Sequence, residues 1–129
     1  QYIRFYPRGQ ELGAEPQFKW QRPSIVVMSE SNYSDAHMFP FTYRELGVGQ
    51  LLGTPVAGTG TAVWWERLQN GMVFGIPQVG MLTNDGEYLE NNELEPDILV
   101  YNSPKKVVMG KDEQLQAAVE ALEKELETD

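Results

Sequence analysis

The 129-residue chain contains no cysteine, which removes a disulfide framework, thiol catalysis and cysteine-ligated metal in one step. It has a single histidine, His37, so no multi-histidine metal site can be assembled from this chain, and no metal or other cofactor is expected. No stretch approaches the ~20 apolar residues of a membrane-spanning helix, so no span is expected. Basic residues are few, 10 Lys and Arg against 19 Asp and Glu, and they are scattered. Phosphate backbones are bound by clustered Lys and Arg, so this distribution argues against a nucleic-acid partner. The formal charge of −9 is uneven: residues 112–129 carry −6 of it, and the body of the chain is only mildly acidic. That acidic tail reads as a solvated helix face. The first residue is Gln, not Met, which suggests a processed, clipped or excised chain, so the missing leader says nothing and the compartment stays open.

What is present suits one domain, since a chain of this length can bury roughly two thirds of its extended surface without metals or disulfides. Residues 2–6 alternate as a strand, and Pro7 and Gly9 end it. Residues 13–23 have loop composition, with Phe18 and Trp20 as anchors. Residues 24–28 are almost continuously apolar, as a strand covered on both faces would be. A helical pattern follows over residues 35–46, closed by Gly47 and Gly49, with Pro40 predicting a kink or a helix that becomes regular only after Phe39. Residues 50–53 form the next strand, and strand, helix, strand in so few residues predicts a right-handed parallel crossover. Residues 62–68 and 72–82, joined through Asn70-Gly71, predict a β-hairpin. Asn84-Asp85-Gly86 is a further turn, residues 97–101 a last strand, and residues 112–126 an amphipathic helix with Leu115, Val119, Leu122 and Leu126 on its apolar face.

Ser34 stands where the polar turn after Met28 gives way to the first helix. A hydroxyl there lies beside free backbone N–H groups and the positive end of the helix dipole, which can stabilise an oxyanion. The same residue in the same place is also an ordinary N-cap, and local sequence leaves both readings open. Trp64 and Trp65 are adjacent in a strand and face opposite ways, so packing in a core or interface outweighs a ligand platform. Glu90 is one of several acids in a polar loop, and Asp97 after Pro96 is expected to fix that loop or to pair with a cation.

Longer motifs add to this. The run from Ser34-Asp35-Ala36-His37-Met38-Phe39-Pro40 to Leu46-Gly47, followed by Leu52-Gly53-Thr54-Pro55, resembles the strand-to-helix corner of serine proteases of the tail-specific (C-terminal processing) and tricorn type. Glu90-Asn91-Asn92-Glu93-Leu94-Glu95-Pro96-Asp97-Ile98 resembles the Glu-Asn-x-Gly-Val-x-Pro-Asp-Ile element of those enzymes, with Glu93 where glycine is usual. Gly110-Lys111-Asp112-Glu113-Gln114-Leu115 resembles the start of their terminal helix.

This resemblance implies an α/β, crotonase-like (Clp protease-like) core fragment with parallel strands, a β-hairpin and a C-terminal amphipathic helix. It implies a serine endopeptidase that forms an acyl-enzyme on Ser34 and acts on a peptide or unfolded protein substrate. Residues 1–111 would be the C-terminal part of the catalytic domain and residues 112–129 its closing helix. Tail-specific enzymes carry a base lysine twenty-five residues beyond the nucleophile; here that position is Thr59, and Lys19 and Lys105 are distant in sequence. The resemblance therefore moves to the tricorn branch, where a histidine is the base, a glutamate (here Glu90) assists it, and the backbone N–H after the nucleophile (here Asp35) lines the oxyanion hole. His37, three residues along the nucleophile's own helix, is expected to be a surface or partly packed residue and not that base. The base then lies upstream of the matching segment, and the isolated chain is expected to be inactive. The alternative is a catalytically inactive relative that serves as a peptide-binding or scaffolding module. A crotonase-type acyl-CoA enzyme is disfavoured, because it needs no serine at this corner. A partial two-layer core exposes apolar surface, so a homo-oligomer is expected.

Overall fold

The computed structural model describes residues 4–6 and 22–127. Most of the expected loop over 13–23, with Phe18, Lys19 and Trp20, lies outside the described residues. The elements are β1 (Arg4–Tyr6), β2 (Ile25–Met28), α1 (Asp35–Glu45), β3 (Gln50–Gly53), β4 (Thr61–Arg67), β5 (Val73–Leu82), β6 (Ile98–Leu99), α2 (Pro104–Val107) and α3 (Glu113–Leu126). They build a parallel sheet in the order β2-β3-β6 and an antiparallel sheet in the order β1-β5-β4. The expected crossover from β2 through α1 to a parallel β3 is present, in register from Ile25 on Gln50 to Met28 on Gly53. So is the hairpin, with Gly71 at φ 84° in its turn and a register shift between Ala62 and Val63.

The core is built from β2, α1, β3, β5 and the loops after β3 and β5, where Met28, Phe41, Tyr43, Leu51, Val56, Met81, Leu89 and Leu94 pack together. Asp97 does what its place after Pro96 suggests. Its carboxylate accepts the Leu51 N–H at 2.7 Å and its own N–H donates to Leu51 O at 2.9 Å, fixing the 90–97 segment to β3.

Three expectations change. Pro40 is fully buried inside α1, which is already helical from Asp35, so its start does not wait until after Phe39. A proline leaves the carbonyl four residues earlier without its donor. Here that carbonyl, Ala36 O, accepts the Asn32 side-chain amide at 2.9 Å, so the helix continues with the gap filled from the preceding turn. Next, β2 is not covered on both faces: Met28 is buried but Val27 is exposed. Finally, α3 turns three of the four residues of its predicted apolar stripe outward and keeps Leu122 on the packed side. It lies on β2 and β3 with Ala118 buried and Ala117, Ala121 and Leu122 half-buried, because small side chains allow close approach, and Leu115, Val119 and Leu126 are exposed. The start of α3 is heavily capped: Asp112 accepts the Leu115 N–H, and Asn102 Oδ1 accepts from Glu113 and Gln114. Lys106 and the Ser103 N–H both bind the Glu113 carboxylate, holding its pKa down to about 2 and tying the short, unpredicted α2 to α3.

Candidate active site

The turn after β2 is tied down from two sides. The Ser29 N–H donates to Asn32 Oδ1, whose amide reaches into α1 as above. The Glu30 N–H donates to Thr54 Oγ1 at 3.1 Å, that hydroxyl donates to the Glu30 carboxylate, and the Thr54 N–H donates to Met28 O. The hydrogen bond from the Thr54 hydroxyl holds the Glu30 carboxyl below the ordinary range. The corner that carries Ser34 is thus clamped to the loop after β3.

Ser34 itself has φ 55° and ψ −113°. An N-cap residue has extended dihedrals and a side chain that accepts a helix N–H. Ser34 has neither, and its hydroxyl makes no cap hydrogen bond. A non-glycine residue at positive φ is strained and persists only when its surroundings hold it there. The shape is that of a sharp strand-to-helix turn that lifts a serine hydroxyl clear of the backbone. Behind it, the Ala36 N–H is paired with Tyr33 O, and the His37 and Met38 N–H groups with Ser34 O. The Asp35 N–H has no partner among the described residues, and Asp35 is exposed.

Ser34, His37 and Glu90 meet at one dipeptide, Thr59-Gly60. The Ser34 N–H donates to Thr59 Oγ1 at 2.8 Å, and the Gly60 N–H donates to Glu90 Oε2 at 2.7 Å. His37 Nδ1 lies 3.1 Å from Thr59 N and 3.2 Å from Thr59 O. The backbones of the two loops touch here: a Cβ on Gly60 would stand 2.6 Å from Leu89 Cβ, and one on Gly58 2.2 Å from Asn92 N. Glycine at both positions lets the Glu90 segment approach. Beside Glu90 and Asn91 opens a cavity of about 420 Å³, walled by Tyr6, Thr61, Val79 and Tyr88.

His37 is not the surface or partly packed residue the sequence suggests; it is 1% exposed. Burial pushes its pKa below the ordinary 6.5, with the Thr59 carbonyl and the Glu90 charge opposing only in part, so the ring is neutral near pH 7. No hydrogen bond joins it to the Ser34 hydroxyl. Sequence reasoning found Thr59 only as the place where a lysine is missing, and the twenty-five-residue spacing was the sole signal that could have singled it out. Neither Trp64 nor Trp65 enters the core of this chain; both are exposed, which leaves the interface half of the expectation. Lys105 belongs to α2, and among the described residues no cluster of His, Asp and Glu could hold a metal ion.

Residues 2–100 match the family Peptidase family S41. Over 122 residues the chain is 30% identical to the tricorn protease of Thermoplasma acidophilum, covering 93% of this chain and 11% of that protein. The tricorn homolog 1 of Streptomyces coelicolor is 28% identical over 115 residues, 88% of this chain and 11% of its own length. The chain therefore spans about a tenth of these relatives. The crystal structure of the tricorn protease superposes with TM-score 0.78 at 30% identity, over 98% of this chain and 13% of that one. The photosystem II D1 C-terminal processing protease, at 16% identity and TM-score 0.53 over 61% of this chain and 20% of that one, shares the fold. The chain belongs to peptidase family S41, the serine peptidases of tail-specific and tricorn type.

Proposed function

We propose that the chain carries the nucleophile half of a serine endopeptidase site on a crotonase-like core, with residues 1–111 as the C-terminal part of the catalytic domain and 112–129 as its closing helix. The observation that supports this most is Ser34, held at φ 55° with an uncapped hydroxyl. Ser34 Oγ attacks a peptide carbonyl, and its proton passes to a histidine supplied from outside this chain. The unpartnered Asp35 N–H stabilises the oxyanion that forms. Collapse of that intermediate breaks the C–N bond, the base returns the proton to the leaving amine, and water then cleaves the acyl-enzyme. Glu90 spends one carboxylate oxygen on the Gly60 N–H, and its other oxygen is left to orient the incoming histidine. The substrate is a peptide or unfolded protein, and the exposed apolar surface favours a homo-oligomer.

A fluorophosphonate probe tests this reading. The isolated chain should label slowly or not at all, and the full gene product should label at Ser34 within minutes. Rapid labelling of the isolated chain would remove the external base, and no labelling of either would remove the peptidase.

A further inference from the structure

The strain at Ser34 has to be held by something other than the helix it precedes. In its left-handed conformation the Ser34 N–H points into the loop between β3 and β4, where the acceptor it meets is a side chain, Thr59 Oγ1, at 2.8 Å. A half-buried amide with no acceptor is costly, and a residue at positive φ relaxes unless its neighbours over-determine it. Thr59 is in turn held by its own backbone, through the ring of His37.

We propose that Thr59 is a positioning residue for Ser34 and that the buried His37 anchors Thr59, so that the two form a clamp on the backbone of the nucleophile. The imidazole suits this task in either neutral tautomer. A bare Nδ1 accepts the Thr59 N–H at 3.1 Å, and a protonated one donates to Thr59 O at 3.2 Å. The backbone is fixed in both cases, and with it the direction of Cβ and Oγ1. Burial keeps the ring neutral, so no charge enters the clamp. Gly60, the next residue, carries the Glu90 carboxylate on its N–H, so one rigid dipeptide sets the nucleophile's amide on one side and the carboxylate on the other. The kinetic consequence rests on the peptidase reading above; the clamp itself does not.

Amide hydrogen exchange of the 129-residue chain, followed by NMR, tests the clamp without any need for activity. In the unaltered chain the Ser34 amide should be protected, and exchange at the rate of an open peptide would overturn the proposal before any variant is made. Thr59→Val keeps the shape and loses the acceptor, and should speed Ser34 exchange about tenfold. Thr59→Ser should restore it to within about threefold, since it keeps the hydroxyl. His37→Leu should loosen the same amide, and His37→Asn, whose amide can replace either role of Nδ1, should recover it. Amides of α3 serve as the control, because a loss shared with them is global unfolding. Equal exchange at Ser34 in Thr59→Val and Thr59→Ser, with α3 unchanged, overturns the clamp. In the full gene product Thr59→Val should lower kcat about a hundredfold with little change in KM, and Thr59→Ser should regain most of it. If the unaltered gene product cleaves no peptide, the peptidase reading fails while the exchange data still decide the clamp.

Discussion

The Ser34 corner and the β4–β5 hairpin are built by opposite means. At the corner, segments 29–37 and 54–60 hold one another through side-chain to backbone hydrogen bonds over a floor of Met28, Leu51, Leu52 and His37, each about 1% exposed or less. In the hairpin the backbone ladder runs from Thr61 to Arg67 against Gly80 to Val73, yet Trp64, Trp65, Val73 and Phe74 are all open to solvent. A two-stranded ribbon has two faces, and outside its base no layer among the described residues covers either. Strain is affordable only in the first kind of structure, where many bonds over-determine each residue. Apolar surface left bare, as in the second, serves only when something else covers it.

The largest test of this contrast is Ser34→Ala. In the full gene product it should lower peptide hydrolysis by about 10⁴-fold or more. Its effect on stability should stay within about 0.5 kcal/mol, because the hydroxyl caps nothing. A urea melt that showed a loss of about 1 kcal/mol would instead make Ser34 a conventional cap.

Glycine substitutions compare the two regions directly. Gly60→Ala drives a Cβ into Leu89 and the backbone of Glu90 and should cost about 2–3 kcal/mol. Gly71→Ala at the hairpin turn meets nothing within 4 Å and should cost about 1 kcal/mol, for its φ of 84° alone. Denaturant midpoints for the pair check this, and equal losses would erase the difference in packing on which the comparison stands.

Acid separates them more gently. Because the folded imidazole titrates below 6.5, the unfolded chain takes up the proton first as pH falls. Stability contributed by the neutral ring is therefore complete above about 6.5 and declines below it, toward the lowered folded value. The carboxylates of Glu30, Asp112 and Glu113, whose pKa values are also lowered from 4.5, 3.8 and 4.5, lose their share only below that range. His37 is the sole histidine, so His37→Asn should flatten thermal midpoints between pH 5 and 6.5. A slope that survives the substitution would show that the ring does not couple to folding.

Much of the fold was legible because it rests on local pattern. The apolar run at residues 25–28, the Asn70-Gly71 turn and the repeat in α3 each announce their element without knowledge of the rest. What could not be read depends on contacts across sequence. Pro40 suggested a kink or a late start to the helix because the Asn32 amide that fills its missing hydrogen bond comes from a turn. The stripe of Leu115, Val119, Leu122 and Leu126 has the period of a buried face, but which face of a helix packs is set by the sheet it meets, and α3 meets it with alanines and Leu122 alone of the stripe. His37 has the spacing of an exposed helix position; its burial comes from the loop around Thr59, twenty-two residues on. The elements of the site were therefore legible as motifs, and the dipeptide that joins them was not.

The smallest expected effect lies in the hairpin and tests the other half of the contrast. Trp65 is 72% exposed, the most open aromatic of the ribbon, and it has a cross-strand partner in Gly75 with no side chain to lose. Trp65→Thr keeps β-propensity and removes the ring, so the denaturant midpoint should move by no more than about 0.5 kcal/mol in stability. Solution mass should respond instead. If the bare ribbon is where copies meet, the unaltered chain should show a rising sedimentation-average mass with concentration, and Trp65→Thr should lower it. A strictly monomeric unaltered chain at high concentration would show that copies of this chain do not cover the hairpin. A loss of stability of about 2 kcal/mol would be worse for the contrast, because it would mean that the ring packs on its own chain and that the two regions are held by the same kind of force after all.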